Sequence, residues 1–332
     1  MATQKVETMH SQPDHRAKVV SVDTIDPGDR EVIVVGLDAS AAARSAVEWA
    51  ADEAALRGAD LRLTSTYALP GAGRPGYRNV PDDLDADLRG AGQELLDRVA
   101  ADLGRSHPTV RVTTCLTQGG AATAIRGESG NALLTVVGSR GTGRVFGMLL
   151  GSVASAIATG NPAPVVVVHR GCRPGAAGPV VIGVDNTPDS EPAIAFAFEA
   201  AALRHTDLIA VRAWTDNAVG APYPLQPPIV APSVALQEEQ SRLLSERLAG
   251  WNDRYPDVKV QQCVVARRPL PTLLEYAAQA QLVVVGSHGR GNFAGLLLGP
   301  TGRSLVARCR CPVVIVNRSF SRGGAGGVAP KG

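Results

Sequence analysis

The chain carries one pattern twice. A glycine loop, Gly138-Ser139-Arg140-Gly141 with Gly151-Ser152 after nine intervening residues, returns as Gly286-Ser287-His288-Gly289 with Gly299-Pro300 after the same gap. Each loop leaves an apolar run, Ala132-Leu133-Leu134-Thr135-Val136-Val137 in one copy and Ala280-Gln281-Leu282-Val283-Val284-Val285 in the other. Val34-Val35-Gly36-Leu37-Asp38 reappears as Val181-Ile182-Gly183-Val184-Asp185, and Pro164-Val165-Val166-Val167-Val168 as Pro312-Val313-Val314-Ile315-Val316. A period of about 150 residues is one whole domain and far too long for a solenoid repeat.

The length of 332 residues agrees with two domains. We divide the chain into a flexible extension (1–30), a first domain (31–170), a linker (171–178), a second domain (179–318) and a flexible tail (319–332). Hydrophobic residues make up 45% and aromatics only 4%, so both cores must be packed from Val, Leu, Ile and Ala. The formal charge of +2 is spread without a basic run, which argues against nucleic acid as a partner. Apolar runs are strand-sized and the N-terminus lacks a signal-peptide core, so the expectation is a cytoplasmic protein without a membrane span.

Within each copy the pattern predicts strand, helix, strand, long loop, helix, strand, helix, strand, glycine loop, helix, strand. Val47, Ala50 and Ala54, with their counterparts Ile194, Ala197 and Ala201, give the first helix an apolar face. Ser40 is placed to cap the first copy, and Thr187-Pro188 to cap and open the second. Long loops are expected at Leu69 to Ala91 and Trp214 to Ser233. Strands alternating with helices imply an α/β fold with parallel sheets covered on both faces. Ligands then bind beyond the carboxyl ends of the strands, where Asp38, Asp185 and both glycine loops fall.

The loops read as anion sites, since a glycine-rich strand-to-helix turn exposes backbone N–H groups. Lysine placement removes several rivals. The lysines are Lys5, Lys18, Lys259 and Lys331, so the first copy lacks the lysine of Walker loops, protein kinases and pyridoxal enzymes. Phe146 stands where a dinucleotide fingerprint needs its third glycine. No catalytic base, nucleophile elbow or metal-spaced cluster is evident, so no catalytic or metal residue is assigned. The five cysteines form no C-x-x-C pair; Cys115 and Cys263 occupy equivalent strand positions, and Cys309-Arg310-Cys311 is the one pair open to a redox or metal role.

The strand ending in Gly-x-Asp, the spaced glycine loop and the closing Pro-Val-Val-Val-Val strand together resemble the universal stress protein family in its tandem form, over about residues 31 to 318. The resemblance implies two open parallel five-stranded sheets with helices on both faces, similar to adenine-nucleotide α-hydrolases, and ATP as ligand with Mg²⁺ on its phosphates. Carried over by position, Asp38 would bond the ribose or adenine and Thr66 would line the adenine pocket. Gly138 and Gly141 would cradle ribose and phosphates, and Gly151 and Ser152 would hold the terminal phosphates. The second copy offers Asp185, Ala213, Gly286, Gly289 and Gly299, and departs at Pro300. The implied role is nucleotide-dependent regulation of stress response or growth state, with little turnover. A nucleotide-independent interaction module and a slow ATP-hydrolysing enzyme stay open, as do protein partners and the question of whether the last strands of the two halves satisfy each other or join two chains as a homodimer.

Overall fold

The computed structural model of the chain describes residues 19–20, 30–69, 82–142, 150–172, 177–185, 187–214, 234–287, 298–318 and 320. A short strand β1 (Val19–Val20) precedes the first half, which runs β2 (Val32–Gly36), α1 (Ala41–Arg57), β3 (Asp60–Tyr67), α2 (Asp82–Ser106), β4 (Val112–Gln118), α3 (Ala121–Glu128), β5 (Leu134–Gly138), α4 (Ser152–Ala158) and β6 (Val165–Val168). The second half runs β7 (Val180–Gly183), α5 (Glu191–Leu203), β8 (Leu208–Ala213), α6 (Val234–Leu248), α7 (Trp251–Arg254), β9 (Val260–Val265), α8 (Pro269–Ala277), β10 (Leu282–Gly286), α9 (Pro300–Arg308) and β11 (Val313–Val316).

Each half holds five parallel strands, in the order β4-β3-β2-β5-β6 and β9-β8-β7-β10-β11. The two sheets then merge. β6 and β11 pair antiparallel, with Val165 opposite Ile315, Val166 opposite Val314 and Val167 opposite Val313, and β1 completes a sheet of eleven strands. Within this chain the last strands therefore satisfy each other. Both are apolar on both faces, and a bare edge of that kind would be a template for aggregation. All six paired side chains at the seam are fully buried, each contributing roughly 1.5–3 kcal/mol.

Alternate strand residues face opposite layers. Ile33 and Val35 of β2, with Val166 and Val168 of β6, look toward α1, α2, α5 and α6; Val34, Val165 and Val167 look toward α3, α4, α8 and α9. Each core runs across both halves. On the first face α1 and α5 meet over the seam: Arg57 bonds Glu53 at 2.5 Å and Glu199 at 2.8 Å, and Arg204 pairs with Glu53. Arg57 and Arg204 are equivalent positions of the duplication, so one buried carboxylate ties the two copies together.

Local departures from the sequence reading have identifiable causes. The residue 1–30 segment, expected as an extension, contributes β1, which pairs antiparallel with β4. Helix α2 begins at Asp82, inside the expected loop; Asp83 and Asp85 suit the positive end of a helix, and Gly92 lets α2 lie close to Leu116 of β4. Residues 70–81 and 215–233 of the two expected loops lie outside the described residues. Thr187-Pro188 does not open a helix directly. The Thr187 side chain bonds Asp185, Pro188–Ser190 forms a 3₁₀ turn, and α5 starts at Glu191 with Pro192 in its first turn. Phe320, in the expected tail, packs on the first-face core.

Candidate functional site

The strand order reverses between β2 and β5, and a crevice at such a point is the ligand position of open α/β sheets. A cavity of about 380 Å³ lies there. Its lining includes Asp38, Thr66, Gly138, Gly141, Gly151 and Ser152, which the fold brings together from β2, β3, β5 and α4.

Asp38 organises the mouth. Its Oδ1 accepts from the Ser40 N–H at 2.9 Å, shaping the turn into α1, where Ser40 caps the helix by accepting from Ala43 N at 3.1 Å. Its Oδ2 accepts from the Thr142 N–H at 3.1 Å and so fastens the glycine loop to the first strand. The Ser40 hydroxyl adds a second tie to the Arg140 carbonyl. A carboxylate has about four lone-pair positions, so acceptor capacity is left for a ligand hydroxyl or amine.

Two glycines make close approaches, one to backbone and one to the Asp38 carboxylate. A Cβ on Gly138 would sit 2.7 Å from the Ala42 carbonyl carbon and 2.8 Å from Ala43 N, so only glycine lets β5 end against the first turn of α1. A Cβ on Gly141 would sit 2.7 Å from Asp38 Oδ2. Gly151 closes the loop by donating its N–H to the Ser139 carbonyl at 2.8 Å, so this N–H is already engaged. Ser152 is not the cap of α4; Gly151 occupies that position, and Ser152 is the exposed first residue of the helix.

Sequence reasoning did not name the residues of the apolar wall. Leu37, Ile125, Val137 and Leu150 line the cavity. Leu37 and Val137 stand in the repeated strand runs but are not marked there as ligand contacts, and no motif marks Ile125 or Leu150, although Ile125 is the buried residue of the short amphipathic α3. Arg140 also lines the cavity, and its charge reaches His169 just beyond β6. Burial, reinforced by Arg140, holds the His169 imidazole below its ordinary pKa.

The second half repeats the frame with different bonding. Asp185 Oδ1 accepts from Thr187 N at 2.9 Å, Thr187 Oγ1 at 2.7 Å and Ser190 Oγ at 3.2 Å, so this carboxylate folds back on its own turn. Ala213 ends β8, Gly286 ends β10, and Gly299 stands at the N-terminus of α9 with its N–H on the Ser287 carbonyl. Pro300 is the first residue of α9. Gly289, with His288 and Arg290, lies outside the described residues. Among the described residues no group of three or more His, Cys, Asp or Glu is arranged to hold a metal, and no helix is long and apolar enough to cross a membrane.

The universal stress protein family matches the chain twice, over residues 30–169 and 177–317. The chain is 39% identical over 290 residues to a universal stress protein of Mycolicibacterium smegmatis, covering 86% of this chain and 96% of that one. It is 36% identical over 302 residues to one from Mycobacterium tuberculosis, covering 85% and 94%. A crystal structure of a universal stress protein from Archaeoglobus fulgidus shares the fold with a TM-score of 0.65 at 17% identity, covering 86% of this chain and 98% of that one. Matched along both copies and over most of its length, the chain belongs to the universal stress protein family and has its tandem-domain form.

Proposed function

We propose that this protein is an ATP-binding regulator of stress response or growth state, with its principal site in the first half. The observation that supports the reading best is the cavity at the β2–β5 reversal, where a fixed carboxylate, an apolar wall and a glycine loop face one space. Its volume lies in the range of small-molecule pockets, roughly 300–1,000 Å³. In this reading Leu37, Ile125 and Val137 pack the base, while Asp38 and Thr66 provide polar contacts to base or ribose. Gly138 and Gly141 keep the loop open enough for the phosphate chain, and the free N–H groups of the first turn of α4 meet its far end. Mg²⁺ carried on the phosphates would offset their charge. Among the described residues, Arg140 is the cationic side chain that lines the cavity.

Slow or absent hydrolysis belongs to the same proposal. The carboxylate nearest the loop is committed to two backbone N–H groups, and the first copy has no lysine to stabilise charge developing in a transition state. We place the protein in the cytoplasm and treat the two copies as repeats of one domain joined through a shared sheet. Mass spectrometry of small molecules released from the purified full chain tests the assignment. ATP or ADP near one equivalent per chain is the expected result; protein free of nucleotide that also fails to bind added ATP would overturn it.

A further inference from the structure

The duplication supplies an internal control for the turn between α9 and β11. In the first half the matching turn is Asn161-Pro162-Ala163, and it is closed by a hydrogen bond from the Asn161 amide to the Ala163 carbonyl at 3.1 Å. In the second half the same positions are Cys309-Arg310-Cys311, with Sγ atoms 3.3 Å apart. A third thiol joins them from the linker: Cys172 Sγ donates to the Arg310 carbonyl, between the pair, at 2.9 Å. The turn therefore has two thiols where its twin has an amide clasp.

We propose that Cys309 and Cys311 are a peroxide-oxidisable thiol pair, a modification site whose disulfide closes the α9–β11 turn covalently beside the seam between the two halves. The two Sγ atoms share a hydrogen bond that either can donate; with Cys311 donating, that bond holds the Cys309 thiol below its ordinary pKa against the opposing effect of burial, and Cys311 is pushed up. In that arrangement Cys309 is the nucleophilic thiolate. Its sulfur attacks one oxygen of hydrogen peroxide, the O–O bond breaks, and the departing hydroxide takes up the proton that Cys309 had released, leaving as water. The resulting sulfenic acid is attacked by Cys311 sulfur; the S–O bond breaks and a second water leaves with the Cys311 proton. The two thiols lose two electrons and the peroxide gains them. Cys309 is buried and Cys311 half-buried, which favours an oxidant of water's size over a bulky disulfide. Cys115 and Cys263 stand apart on their strands and are buried singly, and burial raises the Cys115 thiol.

The sequence makes the test specific, because trypsin cuts after Arg308 and Arg310 and separates the two cysteines. The reduced full chain is treated with hydrogen peroxide or with oxidised glutathione, free thiols are alkylated, and the digest is read by mass spectrometry. The expected product is the Cys309-Arg310 dipeptide linked to the peptide that begins at Cys311. It should form with peroxide on the order of tenfold faster than Cys115 or Cys263 is lost, and should revert with dithiothreitol. Cys172→Ser should retain the link and Cys311→Ser should lose it. Alkylation of Cys309 and Cys311 as free thiols after Cys115 and Cys263 have been consumed would overturn the proposal. So would a link made only to Cys172 or only between chains, or faster oxidation by glutathione disulfide than by peroxide.

Discussion

Asp38 and Thr142 are joined across 104 residues of chain by a 3.1 Å hydrogen bond from the Thr142 N–H to the Asp38 carboxylate. That bond fastens the glycine loop to the end of the first strand, so the residue expected to touch the ligand also sets the shape of the loop that receives it. Asp38→Ala should therefore lower ATP affinity on both counts. Losing a hydrogen bond to a charged group costs roughly 1.5–3 kcal/mol, a weakening of about 10- to 150-fold. Gly141→Val should abolish binding at this site by driving a Cβ into Asp38. Calorimetric titration measures both, and unchanged affinity in the two variants would remove the site assignment.

The second site should bind more weakly than the first. Proline at position 300 removes a hydroxyl and a backbone N–H from the start of α9, while Asp185 is held by Thr187 and Ser190. Titration of Asp38→Ala and Asp185→Ala, each leaving one site intact, should show the site left by Asp38→Ala to be weaker by about 10-fold or more. Equal affinities, or a Pro300→Ser variant with no gain at the second site, would show that the proline is immaterial.

Under excess ATP the protein should release phosphate slowly. A turnover number of about 1 per second or more would place it among ordinary enzymes and contradict the regulatory reading.

Stability should fall as the solution is acidified through the ordinary histidine range. The His169 pKa in the folded chain lies below the model-peptide value of 6.5, so between the two values the unfolded chain binds the extra proton. The contribution is intact above 6.5 and is lost as pH drops toward the folded value. The matching residue of the second half is Asn317, which makes His169→Asn a natural control. Thermal melts from neutral to mildly acidic pH should show a shallower decline in the variant, and an identical decline would exclude His169 as its source.

Glu53→Gln should destabilise the fold by about 3–5 kcal/mol, the usual cost of removing one partner from a buried ion pair. Arg204 would lose its carboxylate partner at the seam, while Arg57 would keep Glu199. Burial already holds the Arg204 pKa down, with Glu53 acting in the opposite sense. Denaturant unfolding tests this, and a loss within experimental error would mean that the network is replaceable.

Much of this architecture is legible in the sequence because duplication checks each reading against its twin. Val34-Val35-Gly36-Leu37-Asp38 announces a strand and its ligand edge, and the Pro-Val-Val-Val-Val runs announce closing strands covered on both faces. Asp38, Thr66, Gly138, Gly141, Gly151 and Ser152 share one cavity because a parallel sheet brings its carboxyl ends to one edge. What the sequence hides depends on contacts distant along the chain. Leu37 and Ile125 become a wall only when α3 packs over β2, and Cys172 meets the Cys309-Arg310-Cys311 turn only when the linker crosses to the second half. The early start of α2 is hidden by Gly90 and the acidic residues before it, which read as loop, while Gly92 just past that loop serves close helix–sheet packing.

The antiparallel join of β6 to β11 has a directional result. Strands of one half run opposite to those of the other, so their carboxyl ends emerge on opposite rims of the continuous sheet. The ends of β2 and β7, and with them Asp38 and Asp185, consequently lie on opposite rims. A flat partner docked over one rim would leave the other exposed to solvent, so the two copies face separate surroundings.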